Sequence, residues 1–416
     1  MQKKISQILA PLASLAILML GNGLFTTLLT VRMQLEQIST WYIGIMQGAY
    51  YAGMVLGSFF CEKFIIRVGH IRAFAAFASV TTVVCIAQGM YINPIFWIVL
   101  RLIMGYCIAG LYIVIESWLL AGTTLSTRGK VLAIYMMALY SGQGLGQFLL
   151  DLSDPHTLIP FCFVAILTAL SVVPVTSTYE KSPELDDHER LNFFKLYQLS
   201  PSGVMGCFCS GLILGAVYGL LPFFVKQIGY GLSDIALIMG LAIFGGMILQ
   251  YPIGHLSDIF SRRRVLLSIV IATLGMSIAI ILLDSYRWFL FIGIFIFGGL
   301  TFTLYPLCIS LACDHIDGED FVSAAGGLLL SYGVGATIGP MIAPAFINQL
   351  GPKGLFIYFV LVCVFLAGFI SWRSKTNAPV PLDEQQQYVA VPRSSAVATE
   401  MDPRLEELEA NQENDT

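Results

Sequence analysis

Apolar runs of about twenty residues recur along the whole chain, and a bilayer is the solvent that such a pattern fits. Twelve can be placed, near 12–33, 42–66, 73–92, 95–121, 131–150, 157–177, 203–226, 234–257, 265–283, 287–313, 322–347 and 354–373. With 57% hydrophobic and 12% charged residues among 416, there is too little charge to cover a water-soluble surface. The runs lack the period-two alternation of barrel strands, and helices satisfy their own backbone hydrogen bonds in lipid. The expected fold class is all-α and integral to the membrane, with 12 transmembrane helices.

The first run follows Lys3 and Lys4, as a signal peptide would. It is long, has no convincing small-residue cleavage site and precedes eleven more, so it is expected to remain. The nine cysteines fall within the runs, without metal-type or paired spacing, and read as small apolar fillers. No metal and no cofactor are expected. With both termini placed in the cytoplasm, that side collects seventeen of the 22 Lys and Arg residues, including Lys63, Arg67, Arg128, Arg262, Arg263 and Arg264. The other side keeps Arg32, Lys226, Arg287 and Lys353. This asymmetry sets the expected orientation in a plasma (bacterial inner) membrane.

A charged stretch between runs six and seven divides the chain into an N-terminal six-helix bundle (1–178), a cytoplasmic linker (179–200) and a C-terminal six-helix bundle (201–374). Residues 375–416 are polar and acidic and are expected to be a disordered tail. The halves repeat each other at an ungapped offset of 193: GMVLG at 53–57 lies over GMILQ at 246–250. The same offset places Gly105 on Gly298, Tyr112 on Tyr305, Gly142 on Gly335 and Gly146 on Gly339. Two parallel repeats imply a pseudo-two-fold axis along the membrane normal and a cavity between halves that opens alternately to either side.

After run eight come Gly254, Asp258, Arg262 and Arg263 in the order GxxxDxxxRR. A glycine there lets helix ends approach, a carboxylate can meet a helix N-terminus, and arginines anchor at the membrane face. The pattern resembles the loop signature of the major facilitator superfamily. At the equivalent place in the first half Ile65 stands where Asp258 does, so that half lacks the motif's carboxylate. Arg101, Gly105 and Ala109 on run four are similar to the RxxxGxxxA feature that the superfamily shows, notably in proton-linked members. Gly335, Gly339 and Pro340 resemble the GxxxGP signature that drug exporters carry on helix five; here helix five has Gln147 in place of the proline, a departure from exporters. The resemblance implies two six-helix bundles rocking about a central site, as in drug or sugar:proton transporters.

At helical spacing Arg101, Gly105, Ile108, Tyr112 and Glu116 form one stripe, and an intramembrane arginine needs a partner or a wet cavity. Glu116 is the one acidic residue well inside a run. It either exchanges a proton as the cavity opens or pairs with a basic loop residue, since it sits roughly 7 Å from the helix end at 1.5 Å per residue. Asn22, Thr26, Gln143, Gln147, Tyr218, Gln250 and Tyr305 lie on helices expected to line the cavity. With Arg101 and Tyr112 they suggest a pocket for a small organic molecule of some polar or anionic character. The glycines of runs five and eleven also serve simply to let helices approach.

Neither GxxxxGK[ST] nor HExxH occurs, and no nucleic-acid surface is visible. The chain is therefore expected to be no enzyme, to act as a monomer in contact with membrane lipid and to use a gradient, with protons a possible second partner. Two classes remain open. One is a secondary active transporter of a small-molecule substrate, either exporting drug-like compounds or taking up a nutrient or metal chelate. The other is a transporter-fold sensor or scaffold that recruits a partner through its acidic tail.

Overall fold

The computed structural model describes residues 2–124, 127–177, 193–314, 316, 321–375, 380–382 and 385–404. The regular elements among them are all helical. The first half comprises α1 (Gln2–Leu35), α2 (Thr40–Val68), α3 (His70–Met90), α4 (Pro94–Ala121), α5 (Arg128–Phe148), α6 (Ile159–Leu170) and α7 (Val172–Thr176). A short α8 (Phe193–Leu199) leads into the second half, with α9 (Pro201–Gln227), α10 (Leu232–Ile259), α11 (Arg262–Leu283), α12 (Arg287–Cys313), α13 (Phe321–Leu350) and α14 (Gly354–Ser374). Of the expected linker, 179–192 lies outside the described residues.

Local chemistry sets several boundaries. Asn93 caps α4 by accepting from the backbone N–H groups of Ile95 and Phe96 at 3.0 and 3.1 Å, and Pro94 follows at the first helical turn, where its missing N–H costs nothing. Pro174 cannot donate to Leu170, which accounts for the break between α6 and α7. Gly69, at φ 89°, turns the chain from α2 into α3.

Eleven spans are long and apolar enough to cross a membrane, with α6 and α7 counted as one, against the twelve expected. The shortfall is α5, where Ser141, Gln143, Gln147 and four glycines dilute the hydropathy. Those glycines are packing positions. No Cβ fits at Gly142 or Gly146, because the backbone oxygens of Ala16 and Leu20 on α1 stand there. In the second half Gly335 and Gly339 meet the backbone oxygens of Phe208 and Leu212 on α9 in the same way. Gly105 on α4 meets Tyr50 O of α2, and its repeat mate Gly298 on α12 meets Ala242 O of α10. The sequence repeat is thus a repeat of backbone-to-backbone helix crossings, the device by which helices associate where solvent supplies no hydrophobic drive.

The halves close on each other at one end. Gly44 and Gly48 leave room for the backbone oxygens of Pro340 and Thr337 on α13, Thr40 Oγ1 donates to Asn348 Oδ1 at 2.6 Å, and Thr30 Oγ1 to Gly219 O at 2.9 Å. At the other end, which carries the α2–α3 and α10–α11 turns, the gap between the halves holds residues 385–404. The tail expected to be disordered is in this part folded against the bundle, with Val391, Ala398 and Met401 buried and a 3-10 turn at Val397–Met401. Scattered apolar side chains of the tail are buried in the gap between the halves, which average composition does not reveal. Residues 405–416 lie outside the described residues.

Candidate functional site

Between the halves lies a cavity of about 70 Å³. Asn22 and Thr26 of α1, Gln47, Tyr50, Tyr51 and Met54 of α2, Tyr112 of α4 and Met136, Leu139, Tyr140 and Gln143 of α5 form its first-half wall. Tyr218 of α9 and Tyr332 of α13 form the other, and Pro392, Arg393 and Ser394 of the tail close it. Tyr218 Oη donates to Gln143 Oε1 at 3.4 Å across the division between halves. Asn22 Oδ1 and Gln47 Nε2, one acceptor and one donor on this wall, have no partner among the described residues. Buried polar atoms without partners cost about 1–3 kcal/mol each.

Arg101 is wholly buried behind this wall. Its guanidinium carbon lies 4.1 Å from the centre of the Tyr50 ring and 5.8 Å from that of Phe25, and Nη2 donates to Gln47 Oε1 at 3.3 Å. No carboxylate pairs with it among the described residues. Desolvated cation–π contacts of this kind contribute about 2 kcal/mol or more. Arg101 therefore orients Tyr50 and Gln47 rather than lining the void itself.

Glu116, also wholly buried, accepts one hydrogen bond from the Tyr135 hydroxyl and another from that of Ser395 in the tail. Its two carboxylate oxygens face hydroxyls, and no basic loop residue pairs with it among the described residues. The same Tyr135 hydroxyl reaches Ser394 Oγ at 3.1 Å.

The GxxxDxxxRR motif lies at the open end and grips the tail. Tyr388 N donates to Asp258 Oδ1 at 2.7 Å, and the Tyr388 ring fills the space that a Cβ at Gly254 would take. Arg262 is fully buried, donates to Ser310 O at 3.0 Å and to the backbone oxygen of Gln386, and is ion-paired with Asp314 and, at 3.6 Å, with Asp258. Arg263 is half-buried beside it. Further along, Arg404 pairs with Asp402, donates to Ser310 Oγ at 3.2 Å and lies 5.2 Å from the Phe321 ring centre.

Of the side chains singled out from sequence, Asn22, Thr26, Tyr112, Gln143 and Tyr218 line the cavity. Gln147 does not: it bridges α5 to α1, donating to Gly23 O at 2.9 Å and accepting from Thr27 Oγ1 at 2.6 Å. Tyr305 packs behind Tyr332, with ring centres 5.0 Å apart, and Gln250 is buried on α10, away from the lining. The residues missed are Gln47, Tyr50, Tyr51, Tyr140, Tyr332 and Arg393. The repeat contained one signal for them, since Leu139 and Tyr332 are 193 apart and face the same void.

Two repeated six-helix halves around a central polar and aromatic cavity define a polytopic transporter-type membrane protein. The family model of the Major Facilitator Superfamily matches residues 12–286 and 203–401, and the chain belongs to that family. It is 29% identical over 374 residues to the "Uncharacterized MFS-type transporter YcaD" of Escherichia coli O45:K1 (strain S88 / ExPEC), a match that covers 89% of this chain and 96% of the relative. The nucleoside transporter NupG superposes with a TM-score of 0.71 at 14% identity, covering 90% of this chain and 100% of that one. A D-xylose-proton symporter gives 0.68 at 15%, covering 92% and 99%. At these identities the structures establish the fold that they share with this chain.

Proposed function

We propose that the chain is a secondary active transporter that moves a small organic solute by alternating access and is coupled to protons through Glu116. The cavity between the halves carries this reading, because it lies where two rocking bundles would share a surface and is lined by polar and aromatic side chains of both, Asn22, Gln47 and Gln143 facing Tyr218 and Tyr332. Glu116 supports coupling. It is a buried carboxylate one helical turn from the cavity residue Tyr112, and its partners are hydroxyls, which accept either protonation state, rather than a cation that would hold it ionised. The family's symporters extend this by likeness alone: one neighbour in fold moves D-xylose with protons.

In this reading both termini face the cytoplasm, an orientation that the excess of basic residues on that side supports, and the membrane is a bacterial inner membrane. The closed end is then external and the end filled by the tail is internal. The scaffold alternative places its partner on the acidic end of the tail; residues 385–404 are folded against the bundle, and 405–416 lie outside the described residues. Thermal-shift screening of the purified chain against small organic solutes, followed by flux of the hits into proteoliposomes, tests the reading. Saturable flux accelerated by an imposed pH gradient is expected; binding without flux for every hit would leave a sensor.

A further inference from the structure

The tail enters the cavity as a ligand would. Arg393 reaches between the halves, its guanidinium carbon 4.7 Å from the ring centre of Phe302 and 5.7 Å from that of Tyr332, while Nη2 donates to Tyr140 Oη at 2.8 Å. Arg393 and Ser394 also bound a second void of about 200 Å³ between α2 and α13, so the tail partitions a continuous space. Aromatic faces and a phenol oxygen are the groups that recognise a guanidinium or ammonium ion. Arg101, the other cation nearby, is already engaged with Tyr50 and Gln47. Ser395 meanwhile takes up one oxygen of Glu116.

We propose that residues 385–404 are a built-in competitive occupant of the transport site, and that the solute whose place Arg393 takes is an organic cation with an apolar body. This rests on the transport reading above. Docked, the tail blocks the cavity from one end and engages Glu116; withdrawn, it leaves an aromatic cage and a carboxylate facing the solute. Asp258 and Gly254 act as its receptor, through the Tyr388 backbone and ring. The solute proposed differs from the polar or anionic one expected from sequence because the tyrosines and Phe302, not Arg101, face the occupant.

The test uses three purified proteins: the full chain, a chain ending at Lys375 and the full-length Arg393→Ala variant, which keeps the fold assessable if the truncation does not. The probes are 2-phenylethylguanidinium, the similarly sized anion 3-phenylpropionate and a synthetic peptide of residues 385–404. At least tenfold tighter binding of the guanidinium by both altered chains than by the full chain is expected. The peptide should bind the truncated chain saturably, lose at least tenfold with Arg393→Ala in the peptide and be displaced by the guanidinium but not by the anion. Equal guanidinium affinity in all three proteins, or no peptide binding by a folded truncated chain, overturns the occupant. Displacement by the anion alone overturns the cation assignment. Peptide capture with guanidinium displacement, but no flux into proteoliposomes of the guanidinium or of any thermal-shift hit, upholds the occupant and overturns the transport reading instead.

Discussion

Ser395 donates its hydroxyl to Glu116, joining the tail of the chain to the acidic residue buried within its fourth helix. The carboxylate also holds Tyr135, so one buried acid ties α4, α5 and the tail together. Exchange of a proton at Glu116 would therefore coincide with a change in these contacts.

Glu116→Gln keeps the shape and one acceptor of this group while removing its charge. Flux of a solute down its own gradient should persist, and acceleration by an imposed pH gradient should vanish. Proteoliposome assays at matched solute gradients read this directly; full acceleration in the variant would remove Glu116 from coupling.

Gly254→Ala puts a methyl group where the Tyr388 ring lies. The substitution itself favours helix by about 1 kcal/mol, so a stable fold with a displaced tail is expected. Trypsin should then cleave after Arg393 several-fold faster than in the parent, whereas Gly275→Ala, with open space around it, should not change the rate.

The repeat predicts paired effects. Gly146→Ala and Gly339→Ala each drive a methyl into a neighbouring backbone oxygen and should lower stability by about 1–3 kcal/mol, visible as a reduced unfolding temperature in detergent. Gly368→Ala, with nothing within 4 Å, should be neutral.

Much of this was legible in the sequence. Hydropathy, the 193 offset and GxxxDxxxRR point to helices, halves and family because each is a local or strictly periodic signal. Gln147 was misread because polarity alone does not separate a residue that bridges α5 to α1 from one that faces the void. The tail was misread for a different reason. Its order comes from a gap built by helices far away in sequence, and a lone Arg393 in a polar stretch gives no sign of the rings of Phe302 and Tyr332 that receive it.

Removing one member of the buried Arg262–Asp314 pair strands a charge. Arg262→Met should cost about 3–5 kcal/mol, while the double change with Asp314→Leu should recover much of it. A double-mutant cycle in chemical denaturation measures the coupling.

The central claim is that the two halves rock about the cavity between them. Pulsed-EPR distances report it without knowledge of the solute, using one spin-label pair at Gln37 and Gln227 on the closed end and another at Lys63 and Arg264 on the end filled by the tail. All four positions are exposed. In the chain ending at Lys375, reconstituted in bilayers, two populations are expected at each end, with the first distance lengthening as the second shortens when pH is lowered. A single unchanging distance at both ends, or both ends widening together, would contradict it.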